Sequence, residues 1–346
     1  MALQRYPGFI DIHVHLREPG ATRKEDFTTG TRAAVKGGFT FVCDMPNNPT
    51  RPTVSIERLE EKIVLTAKKA LCDVGFHYGS DGKNLETFPA VSKNPRVFGL
   101  KVYCGKTTGE LLIDDPSKLD RIFAAWESAK PILLHAEGDL LRLGLELGKK
   151  YSRRVHVCHV SRQIDLEIIR KTKESRQEVS CGVTPHHLFI TGKMMNSLGT
   201  YALVKPSIGD EQTRMALWEG LQTGVIDLIE SDHAPHTRGE KARGAPSFGV
   251  PGLETTLGLF CRSVYEKKLA MSDIVRLLYE TPKKLFRIPD QPNTFVELDP
   301  SKSYIVGSDG YETKCGWSPF DGWELFGKVE TVVLRKKPVV AGGRLV

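Results

Sequence analysis

The sequence has no stretch approaching 18 consecutive apolar residues, so no segment is built to cross a bilayer as a helix. It has no CxxC pair, and its seven cysteines make an odd count. Both facts argue against a disulfide framework and for a reducing compartment. Strong charge of either sign is missing too. Lys and Arg number 49 against 42 Asp and Glu, and the net +7 is scattered, with only short clusters such as Arg335-Lys336-Lys337. No basic run is long enough to be a nucleic-acid arm. There is no internal repeat and no low-complexity tract. Leu3 to Pro7 carry no apolar core of the kind a signal peptide needs, and the expected location is the cytoplasm.

What is present is an ordinary globular composition, 40% hydrophobic and 26% charged in 346 residues. That length suits two domains or a single α/β barrel. The mild positive excess suits an anionic small-molecule substrate as well as it suits plain solubility.

Short apolar runs rich in β-branched residues recur along the chain. Eight read as strands: FIDIHVH from Phe9, FTFVCDM from Phe39, DVGFHYG from Asp73, RVFGLKVY from Arg96, PILLHAE from Pro131, RVHVCHV from Arg154, EVSCGVT from Glu178 and VIDLIESD from Val225. Amphipathic stretches at 57–69, 118–128, 165–173 and 211–221 lie between them. Strands alternating with helices predict βα units and a parallel sheet. Eight such units predict an α/β fold of the (β/α)8 TIM-barrel kind over residues 9–286. An open doubly wound sheet is the alternative, but the glycine fingerprint that should follow its first strand is missing. After a helical stretch at 271–279 the texture turns to Pro, Gly and Val. Residues 1–8 and 287–346 are therefore expected to form a small, mostly C-terminal β appendage.

In such a barrel the reactive side chains sit at the C-terminal ends of the strands, and the unusual polar residues fall there. His13 and His15 close the first strand, and period two puts both imidazoles on one face at a spacing suited to a divalent metal. Ten histidines in 346 residues give roughly 0.3 such pairs by chance, so the pair alone is weak evidence. Lys101, His135, His159 and Asp232 end the fourth, fifth, sixth and eighth strands. The set is far more specific than any member. His135 taken alone reads equally well as a core histidine. Alternation groups His159 with Val155 and Val157 on the barrel-facing side, and turns His156 toward the helices. Lys101 inside a strand is the hardest to explain blandly, because a buried lysine must be paired or neutral. His186 and His187 are expected to hydrogen-bond the ligands rather than bind metal, and His77 to be core.

The segments FIDIHVHLREPG, VCDMPN, GLKVY, ILLHAE, VHVCHVS, TPHHL, SDHAPHT, FGVPGLE and WSPFDGW resemble, in this order, the dihydroorotases of the amidohydrolase superfamily. The similarity runs from Pro7 to about Gly322. It implies hydrolysis and closure of a cyclic amide, between dihydroorotate and N-carbamoyl-L-aspartate in pyrimidine synthesis. It implies two zinc ions per chain: His13, His15 and Asp232 at the first, His135 and His159 at the second, with N6-carboxylated Lys101 bridging them. Asp232 would also be the catalytic acid/base. Arg17, Asn47 and His236 match positions that bind the substrate carboxylate, and Phe248 and Gly249 a segment lining the ring. Lys205 falls where the family varies. Thr107 and Thr108 match a loop whose hydroxyls close on substrate, although they read equally well as helix-capping residues. Members of this family usually build their β appendage from both termini, whereas only about eight residues here precede the first strand. Some bacterial relatives carry aspartate at the Lys101 position, so lysine favours the carboxylated subtype. Other cyclic amidohydrolases, the allantoinases and the dihydropyrimidinases or hydantoinases, keep the metal set but lack the Arg17 and Asn47 pair. An inactive, scaffolding relative would have lost ligands. A homodimer and an association with aspartate transcarbamoylase stay open; neither nucleic acid nor membrane is an expected partner.

Overall fold

Eight apolar runs become eight parallel strands because each is buried on both faces, between a filled interior and an outer ring of helices. The computed structural model describes residues 3–105, 111–242 and 247–346. The strands are β1 (Phe9–Val14), β2 (Phe39–Asp44), β3 (Asp73–Gly79), β4 (Val97–Tyr103), β5 (Ile132–His135), β6 (Val155–Val157), β7 (Val179–Val183) and β8 (Leu228–Ile229). Each pairs in parallel with the next in the chain. The circle closes where Val14 bridges His233 and the His15 amide donates to the His233 carbonyl at 2.8 Å.

The helices start where polar caps are available. Asp26 caps Phe27–Lys36, Ser55 caps Ile56–Lys69, and Asp210 caps Glu211–Gln222, each through its side-chain oxygen. The stretch at 271–279 is less regular than its pattern suggests. Met271–Val275 is α-helical, Arg276–Glu280 is a π-helical turn, and Thr281–Phe286 resumes the α-helix.

Two apolar layers hold the barrel. Val74, Phe76, Leu134, Val155 and Val157 belong to the layer that also contains helix residues such as Leu59, Leu119, Leu141 and Leu166. Ile10, Ile12, Phe41, Cys43, Leu133, Cys158 and Leu228 form a separate interior cluster. Phe286 joins that interior near the starts of the strands, where Arg154 donates to the Leu285 carbonyl at 2.9 Å.

This layering corrects one sequence expectation. Val155 and Val157 face the helices, and it is His156 that points inward, beside Leu133 in register and with its ring 5.3 Å from that of Phe286. Simple alternation would then turn His159 outward. It reaches the interior because the ladder ends at Val157 and His159 takes a left-handed backbone with φ 37°. The eighth strand is also shorter than its apolar run. Pairing stops at Ile229, and Ser231 turns its amide toward the buried Asp11 carboxylate, 3.3 Å from each oxygen.

An antiparallel five-stranded sheet flanks the barrel, in the order Gln4–Pro7, Phe295–Leu298, Val329–Leu334, Lys337–Ala341 and Arg344–Leu345. Ser303–Ile305 pairs with Glu324–Phe326 in a separate two-stranded ribbon. The segment between these two strands packs Trp317 and Phe320 against Val204 and Val250, residues of the loops after β7 and β8. No helix among the described residues is long and apolar enough to cross a membrane.

Candidate metal centre and substrate mouth

His13 and His15 leave the end of β1 with Val14 between them facing the helix layer, and their rings lie 5.5 Å apart. His135 ends β5 on the inward face beside Leu133, two residues earlier. Its Nδ1 is 3.0 Å from His159 Nε2. Asp232 enters from the β8 side on a left-handed backbone, φ 44°. Its Oδ1 lies 3.0 Å from His15 Nε2 and 3.5 Å from His13 Nε2. Lys101 is fully buried on β4, and its Nζ is 2.9 Å from the Cys158 sulfur. The six residues singled out by strand position thus converge in one buried volume. His13, His159 and Asp232 offer ligand atoms all within 4.8 Å of one another.

The electrostatics suit a cation. Burial holds His15 and His135 down at about 3 and His159 well below its ordinary value, so these rings present lone pairs at neutral pH. The buried Nδ1 of His159 has no hydrogen-bond partner. Burial opposes the charge on Asp232, but His13 and His15 outweigh it and keep the carboxyl well below the usual range. His13 is the exception among the rings. Burial works against its proton, yet Glu230 raises it to about 9. Neutral imidazoles, an ionised carboxylate and an orphaned ring nitrogen make a donor set that fits a divalent metal.

Glu230 was not singled out from the sequence, and Cys158 was passed over in favour of His159. Glu230 Oε2 lies 3.1 Å from His13 Nδ1, and its other oxygen accepts the His159 amide. It fixes His13 by its ring and His159 by its backbone. Gly182 on β7 makes room for it, since a Cβ there would come 2.7 Å from the Glu230 carboxyl carbon. Two signals were readable: Glu230 stands two residues before Asp232, and Cys158 directly before His159. With His13 they form a second buried donor group within 4.8 Å. His186 and His187 lie close by. His187 spends both ring nitrogens inside the protein, on Thr184 at 2.6 Å and on the Pro206 carbonyl at 3.1 Å.

The expected substrate residues line the mouth of the same end. Arg17 is 2% exposed and left-handed at φ 61°, and its Nε donates to the Pro235 carbonyl at 3.3 Å. Asn47 is buried just past β2. His236 is held on both sides: Lys24 Nζ is 3.1 Å from Nδ1, and Nε2 is 3.0 Å from the Phe248 carbonyl. The carbonyl accepts only, so Nε2 carries the proton and Nδ1 accepts from the lysine. Lys205 Nζ sits 4.2 Å over the Phe248 ring. Gly249 has φ 134° and presses on Ala234, where a Cβ would lie 2.5 Å from the carbonyl oxygen; only glycine fits. Thr107 and Thr108 lie outside the described residues.

A parallel eight-stranded barrel with a histidine, lysine and aspartate cluster at its C-terminal end defines a class, and the chain belongs to it: residues 6–291 match the amidohydrolase family. Within that family it is 33% identical over 355 residues to the dihydroorotase of Pyrococcus abyssi, covering 96% of this chain and 83% of that protein. It is 40% identical over 345 residues to the multifunctional protein CAD of Squalus acanthias. There it covers 99% of this chain but spans only 15% of the relative's length. Among solved structures, the L-hydantoinase of Arthrobacter aurescens superposes with a TM-score of 0.91 at 24% identity, over 99% of this chain and 86% of that one. That likeness speaks for the fold alone.

Proposed function

We propose that the chain is a zinc-dependent dihydroorotase, interconverting dihydroorotate and N-carbamoyl-L-aspartate. One observation carries the reading: a metal-competent donor group and the Arg17 guanidinium are buried together at one end of the barrel. The donors suit a divalent cation, and a planar guanidinium suits bidentate capture of a carboxylate on the same small molecule. The similarity to a dihydroorotase over nearly the whole chain supports it.

In this reading His13, His15, Lys101, His135, His159 and Asp232 hold two zinc ions, with Lys101 carboxylated on its amine. Zinc bound there would polarise the ring carbonyl and lower the pKa of water. Asp232, kept ionised by His13 and His15, would take the proton of a water that adds to the ring carbonyl carbon and pass it to the ring nitrogen as its bond to that carbon breaks. Arg17 holds the substrate carboxylate, aided by Asn47. Phe248 and Gly249 bound the ring, with Lys205 behind the phenyl. His236 keeps the Phe248 carbonyl in place and adds its edge to the mouth.

The competing reading is a hydantoinase or allantoinase, whose substrates lack this carboxylate and leave Arg17 without a task. Turnover of dihydroorotate, allantoin and hydantoin, measured side by side on zinc-analysed protein, tests the choice. Preference for either of the latter two overturns it. Sizing the chain alone and with aspartate transcarbamoylase tests whether it forms a homodimer or such a complex.

A further inference from the structure

Lys241 lies in the short helix Arg238–Ala242, a few residues past His236, and is 1% exposed. Among the described residues no carboxylate pairs with it. Its Nζ is instead 2.8 Å from the Ser247 carbonyl, 3.1 Å from that of Leu203 and 3.2 Å from that of Thr200. An ammonium has three N–H donors, and three carbonyls take them all. Two of these acceptors belong to the loop after β7 and the third to the loop after β8. Desolvating a cation against neutral carbonyls is costly. An apolar side chain would join two loops more cheaply, so the lysine is doing more than filling space.

What it holds is the substrate mouth. Ser247 directly precedes Phe248 and Gly249, and the Leu203 carbonyl that Lys241 grips also accepts the Gly249 amide at 2.9 Å. The Phe248 carbonyl in turn accepts a hydrogen bond from His236 Nε2. Trp317 covers the assembly, with its ring 5.5 Å from the ammonium and its Nε1 donating to the His236 carbonyl at 2.7 Å. We propose that Lys241 is a positioning residue for substrate binding: by clamping both loops it fixes Phe248, Gly249 and His236 opposite Arg17. This deepens the reading above and rests on that reading for which ring is bound, but not for the clamp itself.

The test compares the zinc-loaded wild type with Lys241→Met, of similar length without donors, and Lys241→Gln, which keeps two. KM is expected to rise roughly tenfold or more in Lys241→Met and less in Lys241→Gln. kcat should stay within about threefold, because the donor residues are untouched. Zinc content should be unchanged. Inhibition by orotate should weaken in step with KM, while inhibition by acetohydroxamate, a small metal chelator without the ring, should not move. The constants are read with whichever of dihydroorotate, allantoin or hydantoin the wild type hydrolyses, so failure of the dihydroorotase assignment does not hide failure of the clamp. An unchanged KM in either soluble variant overturns the proposal. So does parallel weakening of both inhibitors with loss of zinc, which would make Lys241 a general structural residue.

Discussion

The two ends of one barrel interior obey different rules. Near the strand starts, Ile10, Ile12, Phe41, Leu133, Leu228 and Phe286 pack as a mainly apolar plug, with the His77 and His156 rings set against Phe286. At the strand ends the interior holds His13, Lys101, His135, His159, Glu230 and Asp232, all nearly or fully buried. Three residues there, Arg17, His159 and Asp232, have a left-handed backbone, which non-glycine residues adopt at a cost of order 1–3 kcal/mol each. The apolar end supplies stability, and the polar end consumes part of it to hold charges and lone pairs in one place.

Substitutions can separate these roles. The largest effect is expected from Asp232→Asn, which should lower turnover by roughly 10²–10⁴-fold. Asparagine tolerates the left-handed backbone, so the melting temperature of the metal-free chain should hold. A collapse in stability would mean that the carboxylate holds the fold as well as the chemistry. Phe286→Ala attacks the other end. It should cost about 3–5 kcal/mol in urea unfolding, while the remaining folded protein keeps its zinc. Zinc loss at full stability would show that the two ends are not separable.

Glu230→Gln tests the boundary between them. It keeps the volume but removes the charge that orients His13, and should weaken zinc binding roughly 10–100-fold in competition with a chelator. Unchanged affinity would make Glu230 a bystander. The smallest effect lies away from both ends. Glu254 accepts the backbone amides of Glu312 and Thr313, yet burial outweighs those bonds and raises its carboxyl to about 7. Its folded pKa is raised, so its contribution to stability is complete below about pH 4.3 and is lost as the pH climbs through about 7. Glu254→Gln should flatten that stretch of the stability profile, by at most about 3 kcal/mol. An identical profile would remove Glu254 from the pH response.

The strand ends were the most legible part of the site. His135 could be placed because Leu133 and His135 keep strict period two on a strand whose pairing continues to its end. His159 reached the right place for the wrong reason. Period two was applied across a residue where pairing had already stopped, and the left-handed turn at His159 reversed the outcome. Glu230 escaped notice because its role exists only where β1, β6, β7 and β8 meet: His13 and the His159 amide supply its partners, and Gly182 its space. The resemblance gave His236 a role at the substrate carboxylate, and could not show that its ring is already shared between Lys24 and Phe248. Lys241 gave no sign at all, since its partners are backbone carbonyls, which every residue has.

The sequence by itself determined the alternation of strands and helices, hence a parallel barrel, and which side chains stand at the strand ends. Those are local properties of period and composition. The tertiary structure alone decided which buried groups become partners: the Glu230 link to His13, the inward turn of His156, and the Lys241 clamp between two loops. Such choices depend on distances between segments remote in the chain and on how far water is excluded from them. Both follow only after the barrel has closed.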